Sequence, residues 1–229
     1  MSGHGVYVTG TDTGIGKTLY SCTLLHALRA RGLRAVGMKP LASGCDITPE
    51  GLRNEDALAL RDASDPRPTY EDINPFALPA PLAPEIAARE AGVEVTLAPV
   101  LAAHARLAAM ADAVVVEGVG GWMAPLATGL MQADLVRALE LPVVLVVGLR
   151  LGCLNHAYLG ARAIQADGCR LLGWIGSGVD PDMLRIDENR ALLAARLPAP
   201  CLGWLPWQSE PDPGLLAGRL RLPEPWAER

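Results

Sequence analysis

The chain alternates short, continuous apolar runs with longer stretches whose apolar residues recur at helical spacing. The runs are Gly5–Thr9, Arg34–Met38, Ala113–Val116, Val143–Val147, Leu171–Ile175 and Cys201–Leu205. Most lack the alternation of a half-exposed strand, which marks parallel strands buried on both faces. Between them, helical patterns cover Leu19–Ala30, Val95–Met110, Met131–Leu139, Asn155–Ala166 and Pro181–Leu197. Alternating strands and helices predict one α/β domain over residues 1–229, a doubly wound, mainly parallel sheet with helices on both faces.

Residues from about 41 to 99 break that rhythm, with prolines at 49, 66, 68, 75, 79, 81, 84 and 99. Short helices near Glu55–Arg61 and Pro84–Glu90 make this an ordered insertion rather than a linker. Insertions at the carboxyl ends of strands build binding clefts. The Pro-rich segment after Pro206 is expected to wrap the surface or cover the cleft.

The chemistry concentrates in the first loop. The strand ending at Thr9 runs into Thr11-Asp12-Thr13-Gly14-Ile15-Gly16-Lys17-Thr18, which opens a helix. Small residues there let backbone amides of Asp12, Thr13, Gly14, Ile15 and Gly16 turn towards phosphate oxygens. The helix start adds positive charge, Lys17 reaches the terminal phosphates, and the Thr18 hydroxyl suits Mg2+. The usual pattern places Gly where Thr11 stands, so the loop is a variant. A phosphate loop in this context makes the predicted domain a Rossmann-like P-loop NTPase.

Glu117 follows the apolar run Ala113–Val116 and precedes Gly118, Gly120 and Gly121, so its carboxylate is expected at the carboxyl edge of the sheet, able to hold Mg2+ or its waters. Asp56 reads by spacing as a solvated acid at a helix start, with a metal ligand as the other reading. Lys39 ends the second strand, with Ser43 just beyond. The chain has 18 Arg but only two Lys, Lys17 and Lys39. A compact ammonium kept in an Arg-rich chain suggests a site that a planar fork would not fit.

Composition removes other classes. The 229 residues are 50% hydrophobic and 20% charged, with net charge −5, so no basic face for nucleic acid is indicated. Mean hydropathy is +0.22. The longest apolar runs, such as Leu141–Leu149, fall short of the roughly 18–20 residues of a membrane span. Five cysteines without a C-x-x-C pair indicate reduced thiols. With no signal peptide before Gly5, a soluble cytoplasmic protein is expected.

Taken together, Thr9–Thr18, Gly37–Gly44, Pro49–Leu60, Val116–Trp122, Val144–Ala157 and Pro206-Trp207 closely resemble the dethiobiotin synthases, nearly end to end. The resemblance implies a homodimeric, ATP- and Mg2+-dependent ligase that closes a cyclic urea on 7,8-diaminononanoate and CO2, releasing ADP and phosphate. A carbamate and a carbamic–phosphoric anhydride would be intermediates. It implies that Lys17, Lys39, Thr13 and Ser43 surround the reacting groups. Thr18, Asp56 and Glu117 would hold Mg2+, which gives Asp56 its functional reading. Gly118, Lys39, Ser43 and the helix start at Gly152, Cys153 and Asn155 would receive the diamine, with Asn155 also a helix cap. Ser177-Gly178 stands where the family often has Asn-Asp to read adenine, so base recognition is expected to relax or move towards backbone near Pro206 and Trp207. Asn189 stands where some members place a Tyr over the substrate tail.

Two other readings compete. A related amide-forming synthetase would carry a glutaminase domain, for which this length leaves no room. An ATP-gated dimerising switch of the partition type would carry a signature Lys where Asp12 stands.

Overall fold

The apolar runs become the strands of one parallel sheet. The structure, a computed structural model, describes residues 4–223 and 225–226. Residues 1–3, at the start of the expected domain, and 227–229 lie outside the described residues. The chain opens with β1 (His4–Gly10), α1 (Lys17–Arg29) and β2 (Ala35–Met38). The insertion follows as β3 (Leu41–Ser43), β4 (Asp46–Thr48), β5 (Gly51–Arg53), α2 (Glu55–Ala63), α3 (Tyr70–Ile73), β6 (Phe76–Leu78) and α4 (Pro84–Ala91). Then come α5 (Leu97–Met110), β7 (Ala113–Gly121), β8 (Pro125–Ala127), β9 (Leu130–Met131), α6 (Gln132–Leu139), β10 (Val143–Leu149) and α7 (Cys153–Ala166). The chain ends with β11 (Leu171–Gly178), α8 (Ile186–Arg196), β12 (Cys201–Leu205) and α9 (Pro213–Leu216).

The six long strands lie in the order β12-β11-β10-β1-β7-β2, every neighbour parallel. Alternation within each strand feeds two cores. Val6, Val8, Val115, Val144 and Val146 pack with α1, α2 and the C-terminal residues Leu216, Leu222 and Trp226. Tyr7, Val114, Val116, Leu145 and Val147 pack on the other face with α5, α6 and α7. Helices on both faces bury Gly5–Gly10 of β1, Ala113–Gly118 of β7 and all of β10, which is why the apolar parts of these strands read as unbroken runs.

Several boundaries differ from expectation for local reasons. β7 continues past Val116 to Gly121, because a glycine run carries no strand signal in its side chains. α8 starts at Ile186, not Pro181. The Asp182 amide donates to Asp180 Oδ1 at 3.0 Å in a competing turn, and Arg185 is left-handed at φ 56°. α7 starts at Cys153, capped by the left-handed Gly152 (φ 96°), and no side chain caps it, so Asn155 is not the cap. α5 begins at Leu97 and α6 at Gln132.

After Pro206 the chain returns along α1, where Leu216 and Trp226 are buried, and none of its described residues lines the cleft beside the phosphate loop. No helix among the described residues is long and apolar enough to cross a membrane.

Candidate active site

Three strand ends set the site. Val8 of β1 pairs with Glu117, and Met38 of β2 pairs with Val116, so Lys39 leaves β2 beside Glu117 and directly across from the loop that follows β1. Ligands in open α/β sheets bind at these carboxyl ends. α2 brings the fourth group. Asn54 caps it by accepting from the Ala57 amide at 3.2 Å, and Asp56 sits in its first turn.

The side chains converge. Lys39 Nζ donates to Glu117 Oε1 at 2.6 Å, to Asp56 Oδ2 at 2.9 Å and to the Gly118 carbonyl at 3.3 Å. Thr18 Oγ1 lies 2.6 Å from Asp56 Oδ1 and 3.0 Å from Glu117 Oε1. Glu117 is fully buried, and its Oε2 has no hydrogen-bond partner.

In the loop, Gly16 caps α1 in a left-handed conformation (φ 88°) that a side chain would strain, which leaves the first amides of α1 facing the cleft. Lys17 Nζ donates to the Asp12 carbonyl at 2.8 Å, and Asp12 in turn pairs with Arg150 beyond β10. The buried Ile15 side chain packs beneath, against Gly10 and Gly148.

Charges in this cluster shift one another. Burial, followed by repulsion from Lys39, brings the Lys17 ammonium down to about 8. Burial alone would lower Lys39 as well, but Glu117 and Asp56 outweigh it and raise the ammonium above its ordinary value. Burial opposes the charge on Asp56 too. There Lys39 and the Thr18 hydroxyl prevail and hold the carboxyl below its usual range.

These groups border a cavity of about 870 Å3, which also takes in Thr13, Gly14, Ile15, Gly16, Ser43, Val119, Gly120, Gly121 and the Pro81–Pro84 turn of the insertion. Both lysines of the chain therefore face one space.

Comparison with known proteins places the chain in a family. Residues 4–213 match the AAA domain family. An ATP-dependent dethiobiotin synthetase BioD of Xanthomonas euvesicatoria pv. vesicatoria (strain 85-10) is 63% identical over 217 residues, covering 95% of this chain and 97% of its own. The protein of that name from Xylella fastidiosa (strain 9a5c) is 64% identical over 221 residues, covering 96% and 98%. The chain belongs to the ATP-dependent dethiobiotin synthetase family.

The MinC:MinD cell division protein complex of Aquifex aeolicus shares the fold, with TM-score 0.54 at 13% identity over 90% of this chain and 82% of that one. The likeness extends to the fold alone.

Within this synthetase-family chain, the cavity gathers Thr13, Lys17, Thr18, Lys39, Ser43, Asp56 and Glu117 from four separate segments. Of the other expected residues, Gly14, Ile15 and Gly16 also line it, whereas Asp12 and those that follow stand outside its wall. Gly118 lies behind it, touching the site through its carbonyl. Gly152, Cys153 and Asn155 form the start of α7, with Cys153 buried and Asn155 exposed. Ser177 is buried, and a Cβ on Gly16 would stand 2.6 Å from its Oγ, so its hydroxyl faces the phosphate loop. Pro206 and Trp207 close over Gly178, where a Cβ would meet the Trp207 nitrogen at 2.5 Å. Sequence reasoning missed Arg150 and Gln132. Arg150 carries no motif. Gln132 could have been noticed as a polar residue among the buried positions of α6.

Proposed function

We infer that this chain is an ATP-dependent ring-closing ligase that joins 7,8-diaminononanoate and CO2 into dethiobiotin, releasing ADP and phosphate. One observation carries the reading: both lysines, both acids and the Thr18 hydroxyl meet in one cavity at the phosphate loop. The names of the relatives support the use of ATP and the product, dethiobiotin.

The residues divide the work. One amine of the diamine traps CO2 as a carbamate beside Lys39, Thr13 and Ser43. A carbamate oxygen then attacks the γ-phosphorus of ATP, and ADP leaves. The second amine attacks the resulting anhydride carbon, the carbon–oxygen bond breaks, and phosphate departs as the ring closes. No protein nucleophile is needed. Phosphoryl transfer asks for alignment and charge neutralisation, which Lys17, Lys39 and the amides of residues 12–16 are placed to give.

Thr18, Asp56 and Glu117 are the residues to hold Mg2+. Their donors are all oxygen, and the orphaned Glu117 Oε2 is a buried acceptor suited to a hard cation. Among the described residues no group of three or more His, Cys, Asp or Glu is placed to hold a metal ion, so the two carboxylates and one hydroxyl here would leave the remaining positions of a Mg2+ to waters and phosphate oxygens. When bound, Mg2+ supplies positive charge to the transferring phosphoryl group.

Further proposals follow from the same reading. The start of α7, exposed at Gly152 and Asn155 around the buried Cys153, receives the substrate carboxylate, with Gly118 steadying Lys39. Leu151, 96% exposed just before that helix, suits coverage by a second copy in a homodimer. The five free cysteines suit the reducing cytoplasm. Ser177, Pro206 and Trp207 border the base.

Incubating the protein with the diamine, bicarbonate and MgATP, followed by mass analysis, tests the assignment. It predicts the cyclic urea with one ADP per product, whereas ADP formed without urea would contradict it.

A further inference from the structure

Beyond Glu117, β7 parts from its neighbours. Its pairing with β2 ends at Met38–Val116, and its pairing with β1 jumps from Val8–Glu117 to Gly10–Gly121. Gly118, Val119 and Gly120 therefore bulge opposite the single residue Thr9. Bulges beside a site re-aim side chains, and they leave backbone groups without ladder bonds. Three of the four residues from 118 to 121 are glycine, so side-chain packing holds this stretch through Val119 alone and does not fix its backbone.

Gln132, the first residue of α6, does so. It is fully buried. Its Nε2 donates to the Gly121 carbonyl at 2.5 Å and to the Trp122 carbonyl at 3.3 Å. Its Oε1 accepts from Tyr7 Oη at 2.7 Å, which locks the amide's orientation. Burial, with the Glu117 charge second, keeps the Tyr7 phenol protonated and therefore a donor. A Cβ on Gly118 would collide with Gln132 Oε1 and stand 2.6 Å from Tyr7 Oη, so the amide presses directly on the residue after Glu117. On the other side, the Gly118 carbonyl accepts from Lys39 Nζ at 3.3 Å.

We propose that Gln132 is a positioning residue of the reaction centre. Clamped by Tyr7, its amide sets the bulge so that the Glu117 carboxylate meets Thr18 and Lys39, and Val119–Gly121 form the cavity wall. Gln132 does not itself line the cavity. The turnover readout rests on the ligase reading above, whereas the metal readout does not.

The test compares the wild type with Gln132→Met, which keeps length and burial but lacks the amide, and with Tyr7→Phe, which removes only the clamp. Mn2+ affinity is measured in the presence of ADP by electron paramagnetic resonance, beside kcat, KM for nucleotide, and Tm. In Gln132→Met, Mn2+ affinity and kcat are each expected to fall about tenfold or more while KM changes little, as loss of an orienting partner does. Tyr7→Phe should move both the same way by a smaller factor. A buried Gln with only a structural role would lower Tm and leave the folded enzyme's kcat and Mn2+ affinity alone. A wild type that makes no cyclic urea would defeat the ligase reading yet leave the Mn2+ comparison intact. Wild-type Mn2+ affinity and kcat in folded Gln132→Met would overturn the proposal. If that variant does not fold, the same result in Tyr7→Phe overturns it.

Discussion

Lys39 and Glu117 form an ion pair of 2.6 Å in which the lysine side chain is 4% exposed and the glutamate side chain 0%. Removing two charges from water is costly, and their attraction offsets that cost only with further partners. Here Asp56, Thr18 and the Gly118 carbonyl supply them. The ammonium thus holds the same two carboxylates that are proposed above to hold a divalent ion.

Lys39→Gln is expected to cut turnover by at least about two to three orders of magnitude, as loss of a strong contact to developing charge does. Nucleotide affinity should change little, because Lys17 and the loop amides remain. Steady-state rates beside calorimetric binding of a triphosphate analogue check this, and unchanged turnover would remove Lys39 from the mechanism.

Glu117→Gln should raise the Mg2+ concentration needed for half-maximal rate by about tenfold or more, the usual scale for a disturbed metal shell. Asp56→Asn should act in the same direction but more weakly, because its side chain is 41% exposed and water can take its place. Superimposable Mg2+ titrations for the variants and the wild type would exclude both ligand roles.

The strands were legible because valine-rich runs buried on both faces look alike in sequence and in space. The phosphate loop was legible because its chemistry is local. Neither the pairing of Lys39 with Glu117 nor that of Asp56 with Thr18 is local. The partners lie 78 and 38 residues apart, and only strand register and the placement of α2 bring them together. From spacing alone Asp56 looks like a solvated acid at a helix start, which it also is. The Gln132 clamp has no motif, since its partners are a tyrosine and two backbone carbonyls. Turn chemistry at Asp180 and Arg185 hid the true start of α8 behind a plausible helical pattern.

Ser177 predicts weak base selectivity. Its hydroxyl faces Gly16 and, unlike an amide, cannot offer a paired donor and acceptor to a base edge. Values of kcat/KM for ATP, CTP and GTP should therefore lie within about tenfold of one another, about 1.4 kcal/mol in transition-state terms. Discrimination of a thousandfold would mean that the base is read by groups other than Ser177.

His104 on α5 gives a test in pH. Its Nε2 is buried without a partner, and burial lowers its pKa below the ordinary value. The unfolded chain therefore takes up this proton first, and stability falls as pH drops through about 6.5. His104→Leu should reduce the loss of Tm between pH 6.5 and 5, and equal losses in both proteins would refute the assignment.

The central claim is that the carbamate oxygen, and not water, receives the phosphoryl group in this cavity. Isotope transfer reads it directly. With 18O-labelled bicarbonate, ATP and the diamine, phosphate released in a single turnover should carry one oxygen from the bicarbonate, and the cyclic urea should carry another. Unlabelled phosphate formed together with labelled urea would contradict the account.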